Sequence, residues 1–129
     1  MTLTFSLLSK KYSIYRFGRN TKLPDWIYSS EFYSITQTND ELSVVAVQNE
    51  NLPGNVDMNK DWQILKIEGP LDFSLIGIIA DVSGIFKERS ISIFVISTYD
   101  TDYIMIKQKD LDFALEALRE EGHGLISDN

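Results

Sequence analysis

Trp62-Gln63-Ile64-Leu65-Lys66-Ile67-Glu68, then Gly69-Pro70, then Leu75 to Phe86, then Ile91-Ser92-Ile93-Phe94-Val95-Ile96-Ser97-Thr98: this stretch decides the fold class. Its first seven residues are apolar and β-rich, and Gly-Pro ends them. Leu75, Ile78, Ile79, Val82, Ile85 and Phe86 then recur at steps of three and four, one apolar face over three helical turns. Asp72 or Ser74 is placed to cap the first turn, and Lys87 and Arg89 suit the negative end of the dipole. Gly77 and Gly84 each cost about 1 kcal/mol against Ala inside a helix, which predicts a close backbone approach to a sheet or a ligand. Ile91 to Thr98 is nearly all apolar, the pattern of a strand inside a sheet.

Downstream, Tyr99-Asp100-Thr101 reads as a turn and Asp102 to Lys107 as the returning strand. Asp110 is placed to cap a second helix with Leu111, Ala114, Leu115 and Leu118 on one face, and Gly122 is its natural stop. Leu125-Ile126 is a fragment of a last strand. Phe94, Met105 and Phe113 fall at core positions. Strand, helix, strand, strand, helix, strand is the split βαβ, ferredoxin-like order: a four-stranded antiparallel sheet with two helices on one face.

Upstream, Leu3–Leu8, Tyr12–Phe17, Phe32–Thr38 and Leu42–Gln48 read as strands, and Leu23–Tyr28 as one helical turn with Pro24 near its start. Asn49 to Asn55 is dense in Asn, Pro and Gly, hence a loop. The expectation is α+β, two tandem modules: 1–60, mostly strand, and 61–129, the βαββαβ unit. Setting Thr36 on Thr98 puts Asp40 on Asp102 and Val44 on Ile106, a faint internal repeat.

Composition narrows the chemistry. At 43% hydrophobic and 24% charged, the 129 residues are too apolar for a disordered tail. With no cysteine there is no disulfide framework, no thiolate nucleophile and no Cys-type zinc or iron–sulfur site. His123 is the one histidine, which excludes a multi-histidine metal site. Residues 1–60 carry 6 basic and 6 acidic side chains, and residues 61–129 carry 6 and 13, so the whole −7 falls in the second half. Such a charge repels phosphate backbones and anionic membranes. No run approaches the ~18 apolar residues of a membrane span. The apolar start precedes its basic residues, the reverse of a secretory signal, so a cytoplasmic protein is expected.

Two segments could carry a ligand. In Glu68 to Leu75, the N–H groups of a helix start suit a carboxylate and Asp72 suits an ammonium or guanidinium; the plain alternative is a strand-to-helix loop. Ser97-Thr98-Tyr99-Asp100-Thr101-Asp102 is a hydroxyl-rich run with two carboxylates; the plain alternative is turn chemistry, Asp and Thr bonding their own backbone. His123, between two glycines, reads as a surface or cap residue.

Glu68 to Leu75 and Ile91 to Tyr103 resemble ACT domains, and most closely the small bacterial ACT proteins related to the CASTOR arginine sensors and to aspartate-kinase regulatory domains. Phe32 to Thr38 with Glu41 to Val45 is similar to the companion N-terminal module of that group. The resemblance implies a tandem ACT protein that binds an amino acid and has no catalytic activity, cofactor or metal. It implies ligand contacts at Asp72, Phe73, Ser74 and Leu75, and at Thr98, Tyr99 and Asp102, with Asp102 meeting an amine or guanidinium. The arginine sensors have four modules with the ligand between two of them. This chain has two at most, so a comparable pocket either needs a homodimer or is vestigial, and arginine specificity does not carry over. The alternative is an interaction module that kept the ACT sheet for pairing and lost its ligand.

Overall fold

The chain divides into two units, Lys10–Trp62, and Met1–Ser9 together with Gln63–Asn129. The computed structural model describes residues 2–68 and 77–126. Along the chain the elements are β1 (Thr4–Leu7), β2 (Tyr12–Phe17), α1 (Asp25–Tyr28), β3 (Ser34–Gln37), β4 (Leu42–Val47), β5 (Asp57–Ile67), α2 (Ile78–Glu88), β6 (Ile93–Ser97), β7 (Asp102–Lys107), α3 (Leu111–Glu120) and β8 (Gly124–Ile126). A 3-10 turn, Gln108–Asp110, precedes α3. β5 starts at Asp57, ahead of the strand expected from Trp62, and contributes to both units. The modules expected from sequence are 1–60 and 61–129; the compact units are Lys10–Trp62, and Met1–Ser9 with Gln63–Asn129.

In Lys10–Trp62 the strands run β3-β4-β2-β5, every pair antiparallel. That is the split βαβ order, with α1 as the crossover and the segment from Gln48 to Val56 where a second helix would stand. Alternation in β2 sends Tyr15 and Phe17 to one face, where they pack with Leu23, Ile27, Leu42, Val44 and Ala46. The Tyr15 hydroxyl donates to the Val47 carbonyl at 2.9 Å and accepts the Asn49 N–H at 2.8 Å.

The β2–β5 register slips between Tyr12↔Trp62 and Ile14↔Asn59, a bulge on β5 that holds Asp61 at φ 68. Gln48 clips this strained residue. Its Oε1 accepts the Asp61 N–H at 2.7 Å and the buried Ser13 hydroxyl at 2.9 Å, and its Nε2 donates to Asp61 Oδ1 at 3.1 Å. The Gln48 amide, then the Lys11 ammonium 3.5 Å away, hold the Asp61 carboxyl below its usual pKa.

The second unit departs from the expected four antiparallel strands. Among the described residues it has five, β8-β1-β5-β7-β6, because β1 inserts between β5 and β8. β1 is antiparallel to β5 (Phe5↔Ile67) and parallel to β8 (Phe5↔Leu125). The short last strand thus finds its partner at the other end of the chain. β6, expected inside the sheet, lies at its edge; an apolar run reads the same in both places. Phe5, Leu65, Ile67, Ile104 and Ile106 meet Val82, Phe86, Ala114 and Leu118 of the two helices in one core.

Several local expectations change. Gly77, at φ 83, is the N-cap of α2, which makes no side-chain cap bond; Asp72, Ser74 and Leu75 lie outside the described residues. A Cβ on Gly84 would meet nothing within 4 Å among the described residues, so no approach to the sheet explains that glycine. Asp110 stands at the N-cap of α3 but makes no cap bond, because the 3-10 turn runs straight into the helix and holds it near αR. Met105 is fully buried, whereas Phe94 and Phe113 are exposed.

Both helices of this unit close by the same double bond. At α3 the Gly122 and His123 N–H groups bond to the Arg119 and Leu118 carbonyls at 3.0 Å each, with Gly122 at φ 87. At α2 the Ser90 and Ile91 N–H groups bond to the Lys87 and Phe86 carbonyls at 3.1 and 3.0 Å, with Ser90 at φ 58. Arg89 donates to the Ile85 carbonyl at 3.0 Å and pairs with Glu120 and Glu121, which ties the two helix ends together.

Candidate functional site

The turn between β6 and β7 is built by threonine. The Thr98 N–H bonds to the Thr101 carbonyl at 2.9 Å, while the Thr98 hydroxyl donates to that carbonyl at 3.1 Å and accepts the Thr101 N–H at 3.3 Å. The Ser97 hydroxyl donates to Asp102 across the same pair of strands. Tyr99 is 84% exposed at the tip. Thr101 is buried, and its hydroxyl donates to the Ile67 carbonyl at 2.6 Å. Ile67 is the last residue of β5, and the next residue, Glu68, donates its N–H to the Thr4 carbonyl at 2.8 Å. The strand end leading into residues 68–75 is thus pinned from both sides, by Thr101 and by Thr4.

Thr98, Tyr99 and Asp102 lie together on this turn, while Asp72, Phe73, Ser74 and Leu75 lie outside the described residues. Strand order alone puts the turn beside the start of residues 68–75. Thr101 is the residue that the sequence reading missed as an anchor. A threonine in a turn carries no signal of what its hydroxyl will reach across 34 residues.

Lys10–Trp62 repeats the device. Thr38 N–H bonds to the Glu41 carbonyl at 2.9 Å, and the Thr38 hydroxyl accepts the Asp40 and Glu41 N–H groups at 3.1 and 3.2 Å. The two turns align Thr38 with Thr98 and Asp40 with Asp100, two residues out of step with the repeat expected from sequence.

His123 is a half-buried structural residue. Its Nδ1 accepts the Leu3 N–H at 3.0 Å, and its ring meets Phe5 edge-on at 5.8 Å. It also borders an open groove of about 440 Å³ between α2 and the end of α3, with Asp81, Gly84, Ile85 and Glu121. Among the described residues no group of three or more His, Asp or Glu side chains could hold a metal ion. No helix among them is long and apolar enough to cross a membrane.

The strand order is that of ferredoxin-like domains. The family model of the ACT domain matches residues 57–120, and a second model, described as an N-terminal domain, matches residues 10–55. Residues 57–120 belong to the ACT domain family. Over 67 residues it is 31% identical to the human cytosolic arginine sensor for mTORC1 subunit 1, a match covering 51% of this chain and 20% of that protein. The chain thus spans about a fifth of the length of the curated relatives it matches. A crystal structure from Agrobacterium tumefaciens is 31% identical with a TM-score of 0.89, covering 100% of this chain and 96% of that one. The ligand-free regulatory subunit of aspartate kinase from Thermus thermophilus shares the fold, with a TM-score of 0.64 at 11% identity over 92% of this chain and 97% of that one.

Proposed function

We propose that the chain is a non-catalytic regulatory protein of the cytoplasm that binds a free amino acid. The ligand lies between the segment of Asp72, Phe73, Ser74 and Leu75 and the turn of Thr98, Tyr99 and Asp102. The observation that carries this reading is the Thr101–Ile67 hydrogen bond, which sets the turn against the strand end that leads into residues 68–75. N–H groups at a helix start suit the ligand's carboxylate and Asp102 its amine. The names of the relatives, an arginine sensor and a kinase regulatory subunit, support a sensing role. The apolar β6 edge, uncharged from Ile91 to Tyr99, suits pairing with a second copy.

A second reading has an observation of its own. The Thr98 hydroxyl and the Asp102 carboxylate already have partners within the turn. That favours an ACT-fold dimerisation module without a ligand. Thermal melting with each common amino acid at millimolar concentration separates the two. A ligand at 100 times its Kd adds about 2.7 kcal/mol, a shift on the order of ten degrees. The sensor reading expects that shift for at least one amino acid and its loss in Asp102→Ala. A dimer by sedimentation with no shift for any amino acid establishes the second reading.

A further inference from the structure

The Lys10–Trp62 sheet ends at β3, which pairs with β4 and among the described residues has no strand on its other side. The Thr38 N–H bond to the Glu41 carbonyl fixes the ladder: Thr36↔Ser43 and Ser34↔Val45 are its hydrogen-bonded pairs. The N–H and C=O groups of Ile35 and Gln37 therefore point away from β4. Natural edges are blunted by lysine, proline or a bulge. Ser34-Ile35-Thr36-Gln37 has none of these, and its register with β4 is regular. Tyr28, Tyr33 and Ile35 stand beside this edge 53%, 43% and 38% exposed, and the two tyrosine rings meet edge-on at 5.6 Å. Ile35 lies opposite Val44, on the face that carries the unit's core, so an added strand would extend that core.

Charge selects the occupant. No Lys or Arg occurs between Lys22 and Lys60, while Glu31, Asp40 and Glu41 flank the strand. Arg16 reaches the Asp40 carbonyl, but from β2 and from the face opposite Ile35. A second copy paired antiparallel about Ile35 would set Glu31 of each protomer beside Asn39 and Asp40 of the other, acid toward acid at both ends. We propose that β3 takes up an extended basic segment of a partner protein, in which apolar residues alternate with Lys or Arg. Its backbone would bond to Ile35 and Gln37 and its apolar side chains would cover Ile35 and the tyrosines. Its cations would meet Glu31, Asp40 and the ring faces of Tyr28 and Tyr33. This site is separate from the amino-acid site and stands or falls without it.

The test uses the full chain and two labelled peptides, one of alternating valine and lysine and one of alternating valine and glutamate. Anisotropy should show the lysine peptide binding at least about tenfold tighter, with backbone amide shifts centred on residues 33–37. Gln37→Pro removes an outward N–H and no β3–β4 bond, so it should weaken binding at least about tenfold with the fold intact. Tyr33→Ala alters only an exposed ring and should weaken it severalfold, which decides the matter if the proline variant does not fold. Equal affinity for the two peptides, shifts elsewhere, or binding indifferent to both substitutions overturns the proposal. So does self-association that Gln37→Pro abolishes, which would place a second copy on β3.

Discussion

Ser90 and Gly122 occupy the same position after their helices, both left-handed and both followed by a residue whose N–H closes the last turn. A side chain there costs about 1–2 kcal/mol that glycine does not. Only α3 has the glycine. Gly122→Ala should therefore destabilise the protein by about 1 kcal/mol and Ser90→Gly should stabilise it by a similar amount, each about 3–5 °C in Tm. A Cβ at Gly122 meets nothing within 4 Å among the described residues, and Ser90 is exposed. The contrast thus isolates backbone conformation from packing, and equal Tm changes of the same sign would refute it. Gly122 was legible as a stop because glycine after an apolar helical face is a strong signal. Ser90 was not, since a serine there looks like any loop residue.

At the scale of elements, β2, β4 and α2 were legible from periodicity, and their apolar positions form the two cores. What stayed hidden is pairing across long stretches of chain. Leu125-Ile126 is too short to stand alone, and nothing near it in sequence says that Thr4–Leu7 will receive it. The apolar Ile93–Ser97 could not disclose its place at an edge, because an apolar run reads the same at an edge as inside a sheet. The candidate site divides the same way. The Thr98–Thr101 turn follows from its residue types, whereas its attachment to Ile67 depends on a strand order that no local pattern encodes. The β1–β8 pair offers a direct probe. His123→Ala would leave the Leu3 N–H without its acceptor and remove the ring from Phe5. A half-buried unsatisfied donor costs about 1–2 kcal/mol. Urea unfolding should show that loss, and hydrogen exchange should quicken first at Leu3 and the residues of β8. Quickening confined to α2 would show that the imidazole does not hold this strand.

The whole molecule responds to pH through groups that the −7 charge does not reveal. Burial raises the phenol pKa of Tyr12 and of Tyr15 above the ordinary 10.0, and the charge of Glu31 adds to the effect at Tyr12. Asp61 shifts the other way, below the ordinary 3.8, chiefly through the Gln48 amide. The signs follow from which state holds more protons. Above about pH 10 the folded chain retains phenolic protons that the unfolded chain has released. The tyrosine contribution is therefore complete below that pH and is lost as pH climbs through the folded values. The Asp61 contribution is complete above about pH 4 and is lost as pH falls through its lowered value. The urea midpoint should form a plateau between about pH 5 and 9, with a fall on each side. Tyr15→Phe tests the alkaline limb. It forfeits the bonds to Val47 and Asn49, so its midpoint starts lower at neutral pH. With one raised phenol gone, its further fall between about pH 9.5 and 11.5 should be smaller than that of the parent. An equal fall in both proteins would assign alkaline unfolding to groups other than the buried phenol of Tyr15.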